Sequence, residues 1–299
     1  MARARPISRR APPTRSALRL VTLAALLALA AQVGASCTIE VQERHLLFPW
    51  PAPLPPVDER IARRNLELTT ADGVTLRGWL LDVPDERFTL IYYYGNAQSV
   101  VGAAYELYSL AERLRADVAC VDYRGYGFSG GQPTFELLAQ DAVAVFDVVR
   151  ARTRGPVVAM GYSLGTGAAV MVASRRDTAA LVLVAAPASP GAVVAHMESS
   201  LPWYARLFFD LEPAPALRRL APVPDTAIRQ VTEPLLVVHG TGDTVVPIAQ
   251  GRRMFRLAAS RRKRFCEIPG QDHAIALHAV PGFGECLVSF LGDVARASR

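Results

Sequence analysis

Residues 160–167 read MGYSLGTG, a serine with a glycine two positions to either side. A serine hydroxyl is a poor nucleophile unless a base takes its proton and an acid fixes the tautomer of that base. Presenting such a hydroxyl on a sharp strand-to-helix turn folds the chain so tightly that side chains two residues before and after would collide. Gly161 and Gly165 remove those side chains, so the spacing suits a covalent nucleophile at Ser163. A plain glycine-rich turn would carry the same letters. The two readings are separated by whether a base and an acid exist, and by where the serine sits.

Five histidines are available. His45 precedes a proline-rich stretch, His196 lies in an irregular region, and His278 falls in a helical pattern. His239 ends the apolar run PLLVVH and reads as lining the turn that follows. His273, in PGQDHAI, comes just after the last strand-like run and is the expected base. Asp243, in HGTGDTVVP, is the expected acid. Asp272 is the direct neighbour of His273, and sequence neighbours rarely point at each other's rings; the run ALVLVAAP is followed by no carboxylate before Glu198. The resulting order Ser, Asp, His is that of serine nucleophiles on strand-turn-helix elbows. The oxyanion of the tetrahedral intermediate needs two donors. One is the backbone N–H of Leu164, at a helix N-terminus; the other comes from the loop YGNAQS, from the N–H of Asn96 or of its neighbour Ala97.

These residues must be positioned by a sheet. NLELTTADGVTLRGWLLDV alternates apolar and polar around Asp72-Gly73, which reads as an antiparallel hairpin. Then short apolar runs (FTLIYYY, DVACVDY, PVVAMGY, ALVLVAA, PLLVVHG, RFCEIPG) alternate with longer helical patterns. Runs of Val, Leu and Ile without alternation are buried on both faces, so the expectation is α/β: a mostly parallel sheet with helices on both faces. Ser163 sits directly between one such strand and a helix, and ligands bind such sheets at the carboxyl ends of the strands. From Pro187 to Glu233 the rhythm breaks into a proline-rich insertion.

Together, YYGNAQ, DYRGYGFSGGQPT, GYSLGTGAA, HGTGDTVVP and PGQDH cover residues 65–299 in order. In this the chain resembles the α/β-hydrolases, in the branch with serine-aminopeptidase-like and lipase-like members. The resemblance implies hydrolysis of carboxylic esters, thioesters or amides through an acyl-enzyme, with no metal and no organic cofactor. It also implies that residues 187–233 form a short lid, where Trp203, Tyr204, Phe208 and Phe209 line an acyl pocket or pack the lid on the sheet. Relatives carry histidine where this chain has Tyr94, which puts the oxyanion loop in question. DYRGYGFSGG reads as a structural wall of the site. Two other functions fit the same scaffold: an acyltransferase, whose acyl-enzyme goes to an acceptor other than water, and a non-catalytic surface-anchored binding protein. The latter predicts a missing member of the serine, histidine and aspartate set, and none is missing.

The formal net charge of +6 comes from the N-terminus. Residues 1–36 hold six arginines and no acid; without these six, the 33 basic residues match the 27 acidic ones, so charge gives no nucleic-acid signal. An uncharged run from Leu20 to Ser36 follows the arginines, as in an export signal or an uncleaved membrane anchor. It ends QVGASC, which resembles the lipobox of bacterial lipoproteins, with Cys37 the lipid-attachment residue; ordinary signal-peptidase cleavage nearby is the alternative. The expectation is an exported protein associated with a membrane through its N-terminus. Residues 37–64, containing FPWPAPLPP, read as an extended tether. Cys120 reads as buried; Cys266 and Cys286 could pair, which sequence leaves open. The cluster RRMFRLAASRRKR reads as a solvated helix face or as a site for anionic headgroups.

Overall fold

The computed structural model describes residues 37–49, 63–84, 86–220, 223–276 and 279–297. The expected leader, Trp50 and His278 lie outside the described residues. Eight strands form one sheet: β2 (Arg64–Thr69), β3 (Thr75–Leu81), β4 (Thr89–Tyr93), β5 (Asp117–Val121), β6 (Val157–Tyr162), β7 (Ala180–Val184), β9 (Leu235–Gly240) and β10 (Lys263–Ile268). Their order is β10-β9-β7-β6-β4-β5-β3-β2. From β10 to β5 all neighbours run parallel, and β3 and β2 complete the edge antiparallel. Every residue of β4, β7 and β9 is buried, as their unbroken apolar sequences require. The β2–β3 turn has Gly73 at φ +82, a conformation open to glycine without cost.

Around the sheet lie α1 (Ala104–Leu114), α2 (Phe135–Arg152), α3 (Leu164–Ala173), α7 (Ile248–Leu257) and α8 (Pro281–Ala297). The Thr134 hydroxyl starts α2 by accepting the Leu137 N–H at 3.2 Å. Cys266 of β10 and Cys286 of α8 are joined in a disulfide, which settles the pairing left open by the sequence. The insertion between β7 and β9 holds α4 (Pro190–Ser199), β8 (Phe209–Pro213), α5 (Pro215–Arg219) and α6 (Pro224–Ala227).

The start of the expected tether is not a tether. Residues 37–41 form β1, which pairs in parallel with β8 of the insertion, Cys37 opposite Phe209 and Val41 opposite Pro213. Val41 and Leu46 then bury against Val194 and Leu217, so residues 37–49 strap the insertion to the main domain. Prolines begin only at Pro49; CTIEV before them is β-branched and alternating, and it can pair. Of the seven basic residues of the cluster, three are in ion pairs: Arg252 with Glu267, Arg253 with Asp225 and Arg264 with Asp293. The cluster is not one helix face: α7 ends at Leu257, and Lys263 and Arg264 already belong to β10.

Arg124 holds three elements together. Its side chain is 3% exposed and pairs with Asp141 of α2 at 2.6 Å and with Asp72 of the β2–β3 turn at 2.8 Å. Removing a buried partner strands an uncompensated charge. Arg124→Ala is therefore expected to lower unfolding free energy by about 3–5 kcal/mol, read by denaturant titration.

Candidate active site

Ser163 leaves β6 at φ +49 and ψ −115, a conformation that non-glycine residues occupy only under strain of about 1–3 kcal/mol. Its N–H donates to the Val184 carbonyl of β7 at 2.9 Å, and its carbonyl accepts from Thr166 at 3.0 Å, which locks the elbow. The glycines have concrete reasons. A methyl group on Gly161 would meet the Thr166 Cα at 2.5 Å, and one on Gly165 would strike the Tyr93 and Tyr94 carbonyls at the end of β4.

The three sequence-derived side chains converge from separate elements. His273, in the loop after β10, brings Nε2 to 2.9 Å from the Ser163 Oγ. Its Nδ1 lies 2.8 Å from the Asp243 Oδ2, in the loop after β9. Asp243 also accepts the N–H groups of Val245 and Val246 on Oδ1, at 2.9 and 2.8 Å. Burial pushes its carboxyl upward, but hydrogen bonds from His239, His273 and Val246 outweigh that and hold it well below the usual carboxylate range. Asp243 is a fixed anion beneath the imidazole.

His239 does more than line a turn. It is fully buried, with Nε2 2.8 Å from the Val246 carbonyl and 3.3 Å from the Asp243 Oδ2. Its Nδ1 has no partner among the described residues, which fits a neutral ring protonated on Nε2. Gly251 makes room for it, since a methyl there would strike Nδ1. His239→Phe keeps the volume and deletes the donor. A hydrogen bond to a charged group contributes about 1.5–3 kcal/mol, so steady-state kinetics are expected to show a loss of roughly tenfold or more in kcat with KM little changed.

Tyr162 was not expected here. Its hydroxyl donates to the His273 carbonyl at 2.9 Å and its ring lies 5.6 Å from the imidazole, bracing the His273 loop against the elbow. Burial pushes its phenol up to about 12, so it remains a neutral donor.

The loop expected to supply the second oxyanion donor follows β4. Among the described residues, no hydrogen bond occupies the N–H of Leu164 or of Asn96. The alternative donor is removed: the Ala97 N–H is bound to the Phe48 carbonyl at 3.1 Å. The Asn96 side chain anchors the loop to the N-terminal strap, accepting from the Phe48 N–H at 2.9 Å and donating to the Leu46 carbonyl at 2.7 Å. The Tyr126 hydroxyl, within DYRGYGFSGG, completes it at 2.8 Å. Tyr94 takes over the anchoring expected of a histidine. Fully buried, it donates its hydroxyl to Asp122 at 2.9 Å, and its carbonyl accepts from the Tyr123 hydroxyl at 2.7 Å.

These groups open on a cavity of about 590 Å³, within the usual range for small-molecule sites. It follows one face of α3 through Leu164, Ala168 and Met171, facing Leu138 of α2 and Val193 of α4. None of the four insertion aromatics lines the cavity: Trp203, Tyr204 and Phe209 are exposed, and Phe208 is half-buried. Among the described residues, no group of three histidine, cysteine or acidic side chains is placed to hold a metal ion.

A family model described as alpha/beta hydrolase fold matches residues 89–224. The chain is 32% identical over 221 residues to the alpha/beta hydrolase domain-containing protein aho-3 of Caenorhabditis elegans, covering 73% of this chain and 61% of that one. It is 31% identical over 263 residues to the uncharacterized protein Rv2307c of Mycobacterium tuberculosis, covering 85% and 88%. To the lysophosphatidylserine lipase ABHD12 of Mus musculus it is 32% identical over 188 residues, covering 58% of this chain and 46% of the lipase. It thus spans less than two thirds of the nematode and mouse proteins. In fold it is similar to the Pyrococcus furiosus esterase Pf2001, with TM-score 0.63, 18% identity, and coverage of 84% of this chain and 98% of the esterase.

Proposed function

The chain belongs to the α/β-hydrolase family, and on that premise we propose that it is a serine hydrolase cleaving carboxylic esters, and by the same chemistry thioesters or amides, through an acyl-enzyme at Ser163. The observation that carries this reading is the unbroken hydrogen-bonded line from Asp243 through His273 to Ser163, ending at the mouth of an apolar cavity. The Ser163 oxygen attacks the carbonyl carbon while His273 Nε2 takes its proton. The oxyanion accepts the N–H groups of Leu164 and Asn96, where the α3 dipole also favours negative charge. His273 returns the proton to the leaving group, and water, deprotonated by His273, then releases the acid from Ser163. A lipase and an esterase among the similar proteins agree with an ester substrate.

The acyl group lies along α3. From Leu164 to Met171 the helix rises about 10 Å, enough for a medium or long acyl chain against apolar walls. Each buried methylene contributes about 0.8 kcal/mol, so kcat/KM toward nitrophenyl esters of graded length is expected to climb roughly three- to fourfold per methylene until the cavity fills. A flat or falling series would contradict an acyl cavity. Product analysis with an added alcohol separates hydrolase from acyltransferase, the hydrolase yielding free acid as the main product.

The same protein is held, in this reading, at a membrane outside the cytoplasm by its N-terminus. The support is the arginine-rich segment, the uncharged run Leu20–Ser36, and an exposed Cys37 directly after it. No helix among the described residues is long and apolar enough to cross a membrane. Mass spectrometry of the mature N-terminus decides: acylated Cys37 or an intact leader agrees, and a soluble, unmodified N-terminus downstream contradicts it.

A further inference from the structure

Large apolar side chains are exposed on the insertion and on the β1 strand paired with it. Trp203 is 65% exposed, and Tyr204, Leu207, Phe209, Ile39 and Met197 are each 40% exposed or more. The Trp203 and Tyr204 rings meet edge to face at 6.0 Å. Phe209 lies directly opposite Cys37 in the β1–β8 pair, and Ile39 follows two residues on, on the same face. The Cys37 N–H donates to the Phe208 carbonyl at 2.8 Å. Soluble proteins rarely leave such a patch bare, and tryptophan and tyrosine, apolar with a polar handle, suit a lipid-water boundary.

The position of Cys37 says what covers the patch. Residues 1–36 lie outside the described structure, and their sequence ends in the uncharged run Leu20–Ser36. Whether the bilayer is entered by acyl chains on Cys37 or by the run itself, it is reached within one residue of the β1–β8 pair. Cys37 itself is hydrogen-bonded to the insertion. A membrane holding this N-terminus is therefore brought up beside Phe209 and the rest of the β1–β8 pair.

We propose that this face of the insertion docks on a lipid bilayer surface, and that ester substrates pass from the bilayer into the cavity beside Met197, which is both exposed and part of the cavity wall. The proposal rests on the membrane attachment proposed above and adds the orientation. Arg206, exposed between Tyr204 and Phe209, is a basic residue available there to anionic headgroups.

The test uses the full chain carrying Ser163→Ala, reconstituted in phosphatidylcholine–phosphatidylglycerol vesicles with or without brominated acyl chains. Subtracting the spectrum of the Ser163→Ala, Trp203→Phe protein isolates Trp203. Its emission is expected to fall roughly twofold or more in brominated vesicles. Unquenched Trp203 in protein that floats with the vesicles overturns docking but leaves attachment standing, whether a second copy or residues 50–62 cover the patch. Protein absent from the vesicles overturns both. In the active chain, Leu207→Glu with Phe209→Glu is expected to lower kcat/KM on a vesicle-borne ester roughly tenfold or more, and on a soluble ester less than twofold. Equal losses on both overturn the proposal.

Discussion

Ser163→Ala is expected to lower kcat/KM toward a soluble acyl ester by roughly 10⁵- to 10⁶-fold while leaving the melting temperature within a few degrees of the parent. The substitution deletes the oxygen that forms the acyl-enzyme, and no neighbouring hydroxyl takes its place 2.9 Å from His273. His273→Ala should cost a similar factor, because an unassisted hydroxyl scarcely attacks. Asp243→Asn should cost roughly 10⁴-fold, since an amide cannot hold the tautomer that leaves Nε2 free to accept. The losses should not add: once Ser163 is gone, removing His273 changes little. Additive losses would mean that the three side chains do not act as one unit. Steady-state kinetics on the single and double variants decide the matter.

Asn96→Ala is the second large effect, expected to lower kcat roughly 10²- to 10³-fold with a smaller change in KM. The substitution keeps the backbone N–H assigned to the oxyanion. What it removes is the side chain that fixes that N–H, through Phe48, Leu46 and Tyr126. A donor displaced by an ångström no longer meets the charge where it develops, so the transition state suffers more than the bound ester. Tyr126→Phe, which deletes one of these bonds, should show a milder loss in the same direction. If Asn96→Ala keeps kcat within threefold of the parent, the strap does not set the oxyanion geometry.

The sequence made the inner strands legible because burial on both faces leaves almost no alternative to Val, Leu and Ile, as ALVLV at β7 shows. Ser163 was legible because the elbow demands glycine on both sides, and Asp243 and His273 because each follows a recognisable strand. The strap was not. β1 pairs with β8, a partner far along the chain, and CTIEV shows that it can pair but not with what. Its lack of proline before Pro49 was the available signal. Asn96 was identified for its backbone, while its side chain does the anchoring, and that depends on residues folded back from position 46. Trp203 and Phe209 were expected to line an acyl pocket or pack a lid on the sheet because the resemblance implies a lid at residues 187–233. In an insertion of short helices there is too little core to hold them, and they remain outside.

The central claim is that Ser163 is a nucleophile activated by His273 and Asp243. A fluorophosphonate forms a stable adduct only with a serine so activated, which makes its labelling the most direct test. The folded parent protein should gain one phosphonyl group, mapped by peptide mass spectrometry to Ser163, and Ser163→Ala should gain none. A folded parent that stays unlabelled, or Ser163→Ala labelled as fully as the parent, would contradict the account.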